Sequence, residues 1–316
     1  MPLLVSNPPG YSIAGPGHCI YCGSKDFDSN RPDRNLSDEH VIPYSFGGKL
    51  VLKNSSCYRC ELHLTRLERH LAKEVFGPIR AHFKLPTRRP KNRPETLPIE
   101  FRYGTRSVQR EIPISKHPLM CTLTEMDSPL LLSRSNRSGT GEKTAIAHMP
   151  FGKDDVDRCL ERLTREYSAD IAFVYNTPGV RSDYGGLLLK IAHGLTYASF
   201  FNTEPIDFFL GNSIGRGDFS NSRLFLGRSI WGISSQFQTK AIHRYQFRYF
   251  MVGKQKLIVC TVQLFAPLNF PAYDVVVGRI KGSYSDFGLS RRFVISVDIQ
   301  PRPSQKEATP PAHIVK

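Results

Sequence analysis

The 316-residue chain reads as an α+β protein. Apolar residues recur at three- and four-residue steps in three separate segments, the signature of amphipathic or buried helices. From Tyr245 onward the pattern changes to short runs of β-branched and aromatic residues divided by Gly, Pro and Asn, which predicts C-terminal antiparallel strands. Near the N-terminus two Cys-x-x-Cys pairs, Cys19/Cys22 and Cys57/Cys60, bracket a segment with the layout of strand, turn, strand and helix.

Residues 1–17 carry Pro8, Pro9, Gly10, Gly15, Pro16 and Gly17 and are expected to be an irregular lead-in. Residues 18–77 form the next unit. Each Cys-x-x-Cys turn lets two thiolates reach one ion, and two such turns complete a closed tetrahedral site, so the four cysteines are expected to hold a structural Zn²⁺. Gly23, directly after Cys22, permits the tight backbone of such a knuckle. Between the pairs, a strand ends at Glu39-His40, Pro43 and Gly47-Gly48 mark the turn, and Lys49–Lys53 return as a second strand. Leu64, Leu67, Leu71 and Val75 then define a helix that Gly77-Pro78 is expected to stop. Arg66, Arg69 and Lys73 fall on its other faces, suited to solvent or phosphates.

Residues 78–117 are basic, with prolines at 86, 90, 94, 98 and 113, and read as an extended connector in which Leu97–Arg102 has strand character. Residues 118–300 are expected to be an α+β recognition or regulatory domain. Its elements are a helix over Asp154–Tyr167 with Val156, Leu160, Leu163 and Tyr167 on one face, a strand over Ile171–Tyr175, a more apolar helix over Leu187–Phe200, and strands over Tyr245–Val252, Lys256–Phe265, Tyr273–Ile280 and Arg292–Ile299. Residues 301–316, proline-rich and aperiodic, are expected to be a disordered tail.

Composition narrows the function. Lys and Arg number 43 against 28 Asp and Glu, a formal charge of +15 with a pI near 9.6, which attracts a polyanion by counterion release. Seven cysteines cannot all pair, and a metal site with lone buried thiols suits a reducing compartment better than a disulfide framework. No charged n-region precedes an apolar h-region, and no apolar run approaches the roughly 20 residues that span a bilayer. A soluble, cytoplasmic protein without a membrane partner is expected.

The acidic-His pair carries the chemistry. Phosphodiester hydrolysis needs a cation to stabilise developing charge and a base to deprotonate water. Adjacent Glu39 and His40 at a strand end point to opposite faces if extended, so one can meet a cation while the other faces water. His70, His82, His117, His148, His193 and His243 show no metal-ligand spacing and are expected to be structural or exposed.

Cys19-Ile-Tyr-Cys-Gly23, Leu36-Ser-Asp-Glu-His-Val-Ile-Pro43, Gly47-Gly48 and Cys57-Tyr-Arg-Cys60, in that order and spacing, resemble the HNH endonuclease family in its zinc-knuckle, ββα-metal form. The resemblance implies that His40 is the general base, that Glu39 is the acidic ligand of a catalytic Mg²⁺ or Mn²⁺, and that the cysteines fasten the hairpin to the helix through zinc. Asn54 stands near the position of the family's middle Asn, which holds the base-bearing loop. The final motif position falls on Glu61 or His63, with Glu61 favoured because the knuckle fixes the local register. Arg59, Arg66, Arg69, Lys73, Arg88 and Arg89 are the expected nucleic-acid contacts. The resemblance thus implies a metal-dependent endonuclease acting on DNA, double-stranded in the first instance. One version is a regulated defence effector, silent until its C-terminal part binds an activating ligand or protein. The alternative is a zinc-stabilised nucleic-acid-binding protein whose nuclease site is degenerate.

Overall fold

The computed structural model describes residues 11–25, 35–87, 90–124, 126–133, 146–150, 156–174, 181–202, 204–233 and 242–282. Residues 1–10 of the lead-in, Arg88 and Arg89, Asp154, the strand expected over Arg292–Ile299 and the tail lie outside the described residues.

Three strands, β1 (Ser12–Ala14), β2 (Ser37–His40) and β3 (Val51–Ser56), form a small sheet in the order β1-β3-β2. β2 runs antiparallel to β3, and β1 runs parallel to it. Part of the lead-in is therefore ordered. Its strand is not written in local propensity: the edge of β3 carries backbone groups that need partners, and the Tyr11 carbonyl accepts the Val51 N–H at 3.0 Å. β3 leads straight into α1 (Tyr58–His70), with Cys57 in extended conformation at the cap position. A π turn over Leu71–Val75 follows, and then α2 (Gly77–His82). The helical run stops at Phe76, directly before Gly77-Pro78 as expected, and a separate short helix begins there. Pro78 lies in the first turn of α2, where its missing N–H has no intrahelical acceptor to disappoint.

The connector is also more structured than its composition suggests. β4 (Thr96–Tyr103) and β5 (Arg106–Pro113) form a hairpin within it. β8 (Ile171–Phe173) adds to the other edge of β4, and α3 (Val156–Glu166) covers the three strands. Ile99, Phe101, Ile112, Cys159, Leu163 and Ala172 make a compact apolar cluster there. β6 (Met120–Thr124) and β7 (Ile146–Pro150) pair antiparallel.

The rest is built on α4 (Arg181–Phe200) and an antiparallel sheet. β9 (Ile206–Phe208), α5 (Gly211–Arg216), α6 (Ser222–Phe225) and β10 (Leu226–Arg228) lead to the long strands β11 (Arg244–Val252), β12 (Gln255–Gln263) and β13 (Tyr273–Ile280). β12 lies between β11 and β13, and β9 and β10 pair with opposite ends of the far edge of β13. The three long strands fall where alternation predicts them.

Residues 184–196 of α4 are buried on every face, as expected for a helix that is apolar all round. α4 packs on β12 and β13 and also meets α1. One continuous core therefore joins the N-terminal motif to the C-terminal sheet, and Leu52, Leu71, Phe76, Leu188, Ile191 and Val275 all belong to it. Phe76 touches both Tyr184 and Phe265, at ring separations of 5.8 and 5.4 Å. Each such buried aliphatic or aromatic side chain contributes about 1.5–3 kcal/mol. Composition places unit boundaries at 77/78 and 117/118, and this core runs across both.

Buried polar groups reinforce the junction. His243 Nε2 donates to the Phe46 carbonyl at 2.7 Å, while its Nδ1 accepts the Phe265 N–H at 3.3 Å. That pair of partners fits one neutral tautomer, because a proton on Nδ1 would face another donor. Burial pulls His243 down to about 4 from an ordinary 6.5. Its contribution to stability is therefore complete above pH 6.5 and is lost as pH falls towards about 4, since the unfolded chain takes up the proton first. Urea unfolding at neutral pH and near pH 4.5 should show this loss, up to about 3 kcal/mol. His243→Gln should be less stable at neutral pH and show a flatter pH dependence.

Candidate active site and metal centre

The four cysteine sulfurs all lie within 4.8 Å of one another. Their local backbone explains the convergence. In the first knuckle Gly23 adopts φ +76° and its N–H returns to the Cys19 carbonyl at 2.9 Å. In the second, Cys57 caps α1 and Cys60 lies on its first turn. The Ile20 N–H donates to Ser55 O at 2.9 Å, tying the first knuckle to β3. A hydrogen bond from Cys60 draws the Cys19 thiol down to about 4, and the same contact pushes Cys60 up. Burial raises Cys57 to about 11. Four sulfurs and no oxygen donors form the ligand set of a closed site for a soft or borderline ion such as zinc.

The strand, turn, strand and helix between and after these knuckles build a cleft of about 630 Å³. Asp38, Glu39, His40 and Tyr44 line one side, and Glu61, Leu64, Thr65, Glu68, Arg69, Ala72 and Lys73 line the other. Glu61, Thr65 and Glu68 recur at helical spacing on α1 and Ala72 continues the same face into the π turn, so this face forms a wall. The turn is held by Gly48, whose N–H donates to the Pro43 carbonyl at 3.2 Å and where a Cβ would overlap the Ile42 carbonyl.

His40 is half-buried. Its Nδ1 is buried without a hydrogen-bond partner, and its ring lies 5.8 Å from that of Tyr44. Burial, reinforced by the nearby Lys190 ammonium, lowers its pKa from 6.5, so the ring is neutral and able to take a proton at neutral pH. Glu39 is buried and held by a lysine: Lys190 Nζ on α4 lies 2.6 Å from its Oε1 and 3.0 Å from Oε1 of Glu68. The same ammonium donates to the His40 carbonyl and, at 3.3 Å, to Val41 O. Burial raises the Glu39 pKa against the pull of Lys190. Lys190 itself is raised, because its two carboxylate partners outweigh its own desolvation. Glu39 is raised chiefly by its own burial and Lys190 by two carboxylates, that of buried Glu39 and that of partly exposed Glu68.

The remaining expected residues divide between cleft and surface. Glu61 lines the cleft. His63 does not: it is half-buried on another side of α1, facing Gly217 beyond α5. Asn54 lies on the exposed side of β3, outside the cleft lining. It has φ +49° and sits in the irregular stretch where Ser37 pairs with Ser56 but Glu39 pairs with Leu52. Its backbone N–H donates to Asp38 Oδ1 at 3.2 Å. Asn54 thus shapes the strand pairing beside Glu39 through its backbone conformation, not through a side chain in the cleft. Arg69 and Lys73 line the cleft, while Arg59 and Arg66 are exposed away from its lining.

Three participants escape the sequence reading. Glu68 follows Glu61 by seven residues, two helical turns on the same face, a spacing that was available to find it. Arg80 lines the cleft and donates to the Ser45 and Ala72 carbonyls, both at 2.9 Å. Lys190 left one faint signal, the single acidic or strongly basic residue within the buried stretch 184–196 of α4.

The four-cysteine cluster, the hairpin and α1 thus frame a cleft lined by a histidine and carboxylates. Residues 19–76 match the family model described as HNH endonuclease. Comparison of the chain with curated proteins and with solved structures returned no match.

The metal-binding role of the four cysteines has a direct test. Cys57→Ser should lower metal content measured by inductively coupled plasma mass spectrometry. It should also destabilise the N-terminal motif by several kcal/mol, an effect that chelator treatment of the parent protein reproduces.

Proposed function

We propose that the protein is a metal-dependent endonuclease that hydrolyses phosphodiester bonds in DNA, with double-stranded DNA the favoured substrate. The observation that carries this reading is the cleft itself. It brings a neutral histidine opposite a wall of carboxylates, beside a thiolate site that is separate from it.

His40 is the general base: its ring takes a proton from water approaching along the cleft. Glu39, Glu61 and Glu68 supply the oxygen donors that Mg²⁺ or Mn²⁺ prefers, and the Asp38 carboxylate, paired with Lys53 at 2.6 Å, lies at the same rim. These donors fit a hard cation, which when bound stabilises charge developing on the phosphoryl group and the leaving oxygen. Arg69, Lys73 and Arg80 place positive charge on the cleft lining, suited to the flanking phosphates. The chain's charge of +15 supports a polyanionic substrate. The zinc-type thiolate site keeps the hairpin and α1 in register and takes no part in the chemistry.

A second reading, a nucleic-acid-binding protein with a silent nuclease site, is favoured by one observation. Glu39, the carboxylate placed for a catalytic cation, is already engaged by Lys190. Plasmid nicking with Mg²⁺ or Mn²⁺, run beside a salt-dependent gel-shift assay, separates the two readings.

For the nuclease, His40→Ala should lower the cleavage rate by about 10²–10⁴ while leaving DNA affinity near that of the parent. Because His40 is shifted below 6.5, the rate should hold at neutral pH and fall only on an acidic limb below 6.5. Equal cleavage by parent and variant would remove His40 from the mechanism.

A further inference from the structure

The Lys190 ammonium is fully buried and surrounded by oxygen. Glu39 Oε1 lies at 2.6 Å, Glu68 Oε1 at 3.0 Å, Val41 O at 3.3 Å, and the His40 carbonyl is also in contact. A lysine has three N–H donors, so four oxygens exceed its hydrogen-bonding need. Two carboxylates and two backbone carbonyls around one positive charge are instead the donor set of a hard cation. The four oxygens come from β2, the residue that follows it, and α1, while the charge comes from α4, far along the chain. Glu39 and Glu68 together carry one more negative charge than Lys190 neutralises. With Glu61 on the same cleft, the remainder suits a divalent ion on the solvent side.

We propose that Lys190 is the resident, tethered cation of this oxygen cage and the positioning residue for His40. By gripping the Glu39 side chain and the carbonyls of His40 and Val41, it fixes the strand end from which the imidazole enters the cleft. Its catalytic consequence rests on reading the cleft as a nuclease site. The occupation of the cage by a cation does not.

The test uses the full chain with Lys190→Ala, which removes three carbons and the ammonium, and propylammonium as the probe that replaces them. Thermal unfolding and plasmid cleavage are compared in propylammonium chloride and in sodium chloride of equal ionic strength. The expected result is a Tm below that of the parent, raised by roughly 2–4 °C in propylammonium but not in sodium. Cleavage should recover in parallel through kcat. Lys190→Met, which keeps volume without charge, should show neither gain, and the parent should be indifferent to the amine. Absence of an amine-specific gain in Lys190→Ala, or an equal gain in the parent, overturns the proposal. If Lys190→Ala does not fold, the neutral triple variant Lys190→Met, Glu39→Gln, Glu68→Gln decides. A charge cage requires it to be more stable than Lys190→Met alone, whereas a purely packing role requires it to be no better. Amine-specific stabilisation without any cleavage by the parent would discard the nuclease reading and leave the cage standing.

Discussion

The ion-pair set that joins buried Lys190 and Glu39 to partly exposed Glu68 is the constraint around which the rest of the molecule is arranged. Taking these charges out of water costs several kcal/mol per ion, and their mutual attraction repays it only with close geometry. The geometry is close here, with the ammonium at 2.6 and 3.0 Å from the two carboxylates. Removing one member of such a set typically costs about 3–5 kcal/mol, because a charge is left buried without a partner. A well-packed apolar trio would hold the same elements together at least as firmly. The charged version adds direction: it admits one relative placement of β2, α1 and α4, and that placement puts His40 at the cleft.

Other polar side chains from the C-terminal half repeat the device. His193, also on α4, meets the Ile20 carbonyl in the first knuckle at 2.7 Å and stacks on Tyr21, and His243 meets Phe46 in the turn. With Lys190, three separated parts of the nuclease-like motif are each held by a backbone carbonyl. Buried carbonyls of an irregular segment need donors, and here the donors come from more than 100 residues away, with sequence separations of 150, 173 and 197. The motif is therefore a component of a larger core. A short ββα segment buries too little surface to be rigid by itself, and the C-terminal half supplies what it lacks.

Two kinds of ion chemistry are kept apart by donor type. The four cysteines cluster as an all-sulfur donor set of the kind that holds a structural ion. The carboxylates and His40 line a separate cleft with oxygen and nitrogen donors. α1 serves both, with Cys60 on its first turn directed to the knuckle and the Glu61–Glu68 face directed to the cleft. A shift in the register of α1 would disturb both sites together.

The local parts of the protein were legible in the sequence. The knuckles, the order of strand, turn, strand and helix, the buried helix and the three long C-terminal strands follow from cysteine spacing, turn residues and hydrophobic period, all short-range signals. His40 and Glu61, singled out from the Glu-His segment and from the register of the second Cys-x-x-Cys turn, both line the cleft. Tertiary structure decided what depends on distant neighbours. It gave β1 an edge to join, restarted the helix at Pro78, and folded the basic connector into a hairpin under α3. It left Asn54 to bend a strand and His63 to face α5. It also brought Lys190 to Glu39 across 151 positions of the chain. No periodicity or motif spacing encodes that meeting, because the partner of a buried charge is chosen by the packing of whole elements.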